Sequence, residues 1–96
     1  MTRIIYNTDA ISITMIGHAK SDSYGHDLVC SALSILKYVL ETSLHEAEVV
    51  TDDGFFSVVA PPTQQNCAIA DAVGNGFSLL SKTDFVSFES HGMSVT

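Results

Sequence analysis

The chain has 96 residues, 46% of them hydrophobic and 16% charged, enough for one domain with a single core and no need of disulfide or metal staples. Four Lys/Arg against eleven Asp/Glu give a formal charge of −7. That balance argues against nucleic acid or an anionic membrane as the main partner, and suits either a basic protein or peptide or plain solubility.

No run approaches the roughly 20 apolar residues that cross a bilayer. The N-terminal Met1-Thr2-Arg3-Ile4-Ile5-Tyr6 lacks the apolar stretch and small-residue site of a secretory leader, so a cytoplasmic location is expected. Residues 3–6 read as a short strand, and Asn7-Thr8-Asp9 has turn chemistry. Ile11-Ser12-Ile13-Thr14-Met15 alternates apolar and polar, the period of a half-buried strand, and leaves that period at Gly17. Residues 20–26 are polar, include a Gly and offer nothing to pack, which predicts an exposed loop.

Asp27 has the chemistry of a helix N-cap. Behind it Val29, Ala32, Leu33, Leu36, Val39 and Leu40 recur at three- and four-residue spacing, predicting a helix to about residue 44. Residues 47–51 are strand-like, Asp52-Asp53-Gly54 signals a hairpin turn, and residues 55–60 return until Pro61-Pro62 stops them. Thr63 then caps a second helix over residues 64–82. In it Ala68, Ala72 and Gly76 recur every four residues as a small-residue face, while Gly74 and Gly76 each cost about 1 kcal/mol against Ala and mark a place for a break. Residues 85–89 alternate as a last strand, and the tail after residue 90 is expected to fray.

The order ββαββαβ over residues 1–96 predicts a single α+β domain. Short hairpin connections imply a small, mostly antiparallel sheet with two helices packed on one face. The other face is left for a second copy to cover, and a homodimer is the expected assembly.

Two cysteines can in principle pair, but a reducing cytoplasm favours two thiols. Cys67 sits near the start of an apolar helix, the setting of a small buried hydrophobe. Cys30 has a different address. With Asp27 as N-cap it occupies the third helical position, where unpaired backbone N–H groups and the helix dipole favour a thiolate and can later hold an oxyanion. The Asp27 carboxylate competes for the same donors. His18 follows a Gly that permits a turn or close approach, and an imidazole beside a thiol can take its proton and return one to a leaving amine. The residues alone leave this pair open against a surface His and an inert Cys. Ser34, one turn beyond Cys30, either orients the site or lets the helix pack. A zinc site from His18, His26 and Cys30 lacks an evident fourth ligand, His45 and His91 being remote in sequence, so no metal or other cofactor is expected.

The stretch Gly17-His18-Ala19-Lys20-Ser21-Asp22-Ser23-Tyr24-Gly25-His26-Asp27-Leu28-Val29-Cys30-Ser31-Ala32-Leu33-Ser34 resembles the signature of the ribosomal-processing cysteine protease family, Prp. That signature is a Gly-His-Ala, a variable loop, a Gly-x-Asp-hydrophobic-Val-Cys and a Ser one turn later. The resemblance implies a catalytic dyad of Cys30 and His18, with Gly17, Ala19, Gly25, Asp27 and Ser34 in supporting or substrate-binding positions. It also implies a homodimer with a flexible loop over the site. The implied substrate is the N-terminal extension of a large-subunit ribosomal protein, cut after a hydrophobic, Phe-containing stretch. Lys20 and Ser31 depart from the small residues usual at their positions, and the second helix is richer in Gly and Ala than the family's. A non-catalytic, dimeric peptide-binding protein on the same scaffold is the alternative reading.

Overall fold

The computed structural model describes residues 2–17 and 24–91, with residues 24–27 as backbone only. Seven elements follow in chain order: β1 (Thr2–Asn7), β2 (Ser12–Ile16), α1 (Tyr24–Ser43), β3 (Glu48–Asp52), β4 (Phe55–Val59), α2 (Gln64–Leu80) and β5 (Val86–His91). This is the α+β order ββαββαβ expected from the sequence.

The strands form one sheet in the order β3-β4-β2-β1-β5. Three of its pairings are antiparallel, and β1 with β5 is parallel. The parallel pair arises because α2 carries the chain from β4 across the sheet to the far side of β1, the long crossover that such a pairing requires. At the β3–β4 hairpin Gly54 takes φ 71°, a left-handed conformation that glycine adopts without steric cost.

Strand alternation sends one set of side chains inward. Ile4, Ile13 and Val58 are fully buried, and Tyr6, Met15, Phe56 and Val86 nearly so. Both helices lie on that face. The α2 helix covers β1 and β5: Gly74 approaches the Tyr6 ring, and Phe77 stands 6.2 Å from Phe88 between ring centroids. The α1 helix covers β2 and β4, and Gly76 of α2 abuts Leu36 of α1. The opposite face exposes Ile16, Val50, Phe55 and Val59, brought together by the β2–β4–β3 register. Among the described residues no helix is long and apolar enough to cross a membrane.

Three expectations need correction. The first helix starts at Tyr24 rather than after Asp27, so Asp27 is its fourth residue and not its cap. Ser23 is itself a capping residue type, and start signals cluster so densely over residues 21–27 that the sequence does not choose among them. The expected loop over residues 20–26 therefore gives way to helix at its last three positions; residues 20–23 lie outside the described residues. Second, α2 runs unbroken through Gly74 and Gly76, because packing on β1, β5 and α1 outweighs the local propensity cost. Third, of the small-residue face only Gly76 makes a close approach, to Leu36 of α1. Ala68 and Ala72 are exposed, and α2 buries Asn66, Ala70, Val73, Gly74 and Phe77 instead.

Candidate active site

The end of β2, the middle of α1 and the β3–β4 hairpin enclose a cleft of about 360 Å³. On α1, Cys30, Ser34 and Lys37 line it. Their spacing of four and then three residues places them on one helical face. Met15 of β2 and Leu33, Phe55 and Phe56 give the cleft apolar walls, while Asp52 and Gly54 come from the hairpin.

Gly17 closes β2 and also lines the cleft. Its φ of 114° is open to glycine and strained for other residues. Its N–H donates to the Gly54 carbonyl at 2.9 Å, tying the exit of β2 to the hairpin. One short contact thus fixes the spacing of two walls of the cleft.

Cys30 is partly buried and is not joined to Cys67, which packs half-buried against the core from α2. As the seventh residue of α1, Cys30 lies beyond the helix's first turn. The first four N–H groups of a helix are the unpaired ones, and the dipole's influence is concentrated there. The expected activation of Cys30 by helix-start donors therefore does not apply at this position, nor does donation to an oxyanion by its own N–H.

Of the other site residues named from the sequence, Ser34 is exposed and shares the cleft with Cys30. Gly25 and Asp27 are placed on the first turn of α1 by their backbone alone. His18 and Ala19 lie outside the described residues. So does the zinc alternative, which draws on His18 and on the side chain of His26; among the described residues no group of three or more His, Cys, Asp or Glu gathers to hold a metal.

Sequence reasoning missed Lys37. Its ammonium lies 5.7 Å from the centroid of the Phe56 ring and 5.6 Å from that of Tyr38. The signal was available in the numbering, since residue 37 is seven beyond Cys30 and hence on the same helical face. Only the fold shows that this face borders a cleft rather than a packed neighbour.

The chain matches the family "Cysteine protease Prp" over residues 1–90. Among solved structures it is similar to the essential ribosomal processing protease Prp from S. aureus in complex with a covalently linked product peptide. The TM-score is 0.77 at 16% identity, over 94% of this chain and 99% of that one. The S. aureus protease in complex with a substrate peptide gives a TM-score of 0.76, with the same identity and coverage. SMU.848 from Streptococcus mutans is similar at a TM-score of 0.66 and 22% identity, over 96% of this chain and 93% of that one. Among curated proteins none matches. At such identities the structural likeness speaks for the fold; the family match, which spans most of the sequence, goes further, and the chain belongs to the cysteine protease Prp family.

Proposed function

We propose that this protein is a cysteine endopeptidase that removes the N-terminal extension of a large-subunit ribosomal protein, with Cys30 as nucleophile and His18 as base. The observation that carries the reading is a Prp-family chain in which Cys30 opens onto a cleft with both apolar walls and polar groups. His18 follows Gly17 directly in the chain, and Gly17 lines that cleft.

In this reading His18 takes the Cys30 proton and the thiolate attacks the scissile carbonyl carbon. The tetrahedral intermediate collapses to a thioester as the amine leaves with a proton from the imidazolium. Water, deprotonated by His18, then hydrolyses the thioester and restores the thiol. Because the N–H of Cys30 is engaged inside a helix, activation of the thiol falls mainly to the imidazole. The apolar walls formed by Met15, Leu33 and Phe56 suit a hydrophobic segment next to the cut. The S. aureus relative has been crystallised with substrate and product peptides, in keeping with an extended ligand on this fold.

Ser34 and Asp27 have supporting roles on α1, with Gly17, Ala19 and Gly25 shaping the approach of His18. The protein acts in the cytoplasm as a homodimer, and the exposed apolar patch of Ile16, Val50, Phe55 and Val59 is a surface for the second copy. The test is cleavage of a peptide spanning the ribosomal extension, read by mass spectrometry. Cys30→Ala is expected to abolish cleavage, and His18→Ala to lower it by at least about 10³-fold. Cleavage that survives Cys30→Ala sinks the assignment.

A further inference from the structure

We infer that Lys37 forms an anion-accepting subsite in the cleft, selecting peptides with an acidic side chain about three residues from the scissile bond. The inference rests on the protease reading for its substrate class, but its geometry stands separately.

Four observations converge on Lys37. First, it is the only Lys or Arg among the described residues that line the cleft. Second, its ammonium is held by no carboxylate among the described residues. Arg3 pairs with Glu89 at 3.1 Å, whereas Lys37 makes no ion pair among the described residues and rests over the faces of Phe56 and Tyr38. The cleft's acidic group, Asp52, stands on the hairpin and accepts from the N–H of Asp53 at 2.7 Å. Third, Lys37 is half-buried. Aromatic faces hold a cation in place electrostatically without satisfying its three N–H donors. A ligand carboxylate reaching this cation would meet a positioned donor in a partly desolvated setting, where charge-assisted hydrogen bonds are strong.

Fourth, the spacing fits a peptide. Seven residues of α-helix advance roughly 10 Å along the axis. An extended peptide advances about 3.3 Å per residue, so a chain with its scissile carbonyl at Cys30 and running along α1 brings its third residue from the cut opposite Lys37. Leu33, which also lines the cleft, lies between the two on α1. The cleft thus reads a hydrophobic stretch followed by an acidic side chain.

The test measures binding apart from hydrolysis. Fluorescein-labelled peptides with one uncharged hydrophobic core sequence carry Glu, Gln or Lys at the third position on either side of the scissile bond. Their affinities are read by anisotropy on Cys30→Ala and on Cys30→Ala with Lys37→Met or Lys37→Arg. On Cys30→Ala, the Glu peptide of one side is expected to bind about fivefold tighter than its Gln counterpart. Lys37→Met, which keeps the stem over Phe56, removes that ratio and Lys37→Arg keeps it; raising salt shrinks it. Equal binding of Glu and Gln peptides, a ratio that persists in Lys37→Met, or no binding of any peptide overturns the inference. Cleavage of the uncharged peptide by the protein with Cys30 intact reports separately on the protease reading.

Discussion

Two stretches of helix show how differently this small protein treats its polar groups. At the start of α2, Thr63 accepts from the N–H of Asn66 at 3.1 Å, and the Asn66 side chain is fully buried. Its amide donates to the carbonyls of His45 and Pro61, both at 3.0 Å, and its oxygen accepts from the N–H of His45 at 2.9 Å. Both amide N–H donors and the oxygen are engaged, so one side chain fastens the α1–β3 connection to the entry of α2. In the middle of α1, Cys30, Ser34 and Lys37 instead face a cleft. The lesson is a division of labour: rigidity is concentrated at a junction away from the cleft, which frees the α1 face to carry groups chosen for chemistry. Groups set on a cleft for chemistry rather than for packing depend on a scaffold anchored elsewhere.

The sharpest way to break this comparison is to remove one group from each stretch. Cys30→Ala is expected to abolish peptide cleavage while moving the melting temperature by no more than a few degrees, since the side chain is only partly buried and loses one sulfur. Asn66→Ala should do the reverse. It deletes three hydrogen bonds and leaves the partly buried His45 N–H and the His45 carbonyl without their Asn66 partner, while the Pro61 carbonyl keeps the Thr63 N–H at 2.8 Å, a cost of about 3 kcal/mol. For a domain of this size that lowers the melting temperature by roughly 15 °C, with kcat/KM per folded molecule near wild type. A variant of Asn66 that stays stable but loses activity would mean that the junction and the cleft are coupled.

Much of this division was legible in the sequence, for identifiable reasons. The Thr63 cap, the Asp53-Gly54 turn and the alternation in β2 and β4 are local signals, and β2, β4 and α2 form within a residue or two of their expected bounds. Asn66 as a bracket was not legible, because its partners are 5 and 21 residues away and an Asn near a helix start has no distinctive pattern. The parallel placement of β5 beside β1 is likewise non-local. The order Gly-His-Ala to Cys-x-x-x-Ser pointed to α1 as the site-bearing helix, and the family match agrees. The helix start was misjudged by four residues, and that shift removed the physical argument for a helix-activated thiol while leaving Cys30 on the cleft.

A smaller effect tests the anchored side of the sheet by pH. The Tyr6 hydroxyl donates to Asp71 at 3.0 Å, and burial, followed by the Asp71 carboxylate, pushes its pKa well above the ordinary tyrosine value. The neutral form is therefore favoured in the folded state. Stability from Tyr6 is fully present below the unfolded pKa of about 10, and is lost as pH rises from there toward the folded value at no more than about 1.4 kcal/mol per pH unit. Tyr6→Phe should lower the melting temperature at pH 8 by a few degrees through the lost hydrogen bond, and flatten its decline between pH 9 and 11. An identical alkaline decline in both proteins would assign it to other groups.

The smallest expected effect concerns Gly74, which lies on the inner face of α2 against Tyr6. A Cβ there would stand 3.4 Å from the Tyr6 ring carbons Cδ2 and Cε2 and 3.9 Å from Phe88 Cζ, which is ordinary contact rather than overlap. Glycine in a helix interior costs about 1 kcal/mol relative to alanine, largely through the freedom of the unfolded chain. Gly74→Ala is therefore expected to stabilise the protein by about 0.5 kcal/mol, seen as a rise of a few degrees in the melting temperature. At Gly76 the same change brings a Cβ to 3.0 Å and 3.1 Å from the Leu36 methyls, so its gain is offset by the shift Leu36 must make, and the two alanines should rank in that order. The contrast follows from where the slack lies. The helix–sheet interface has room for one methyl, whereas the α1–α2 contact is already closed by the leucine. A reversed ranking would show that α1 yields more readily than the sheet, and would move the rigid part of the molecule from α2 on β1 and β5 to the sheet alone.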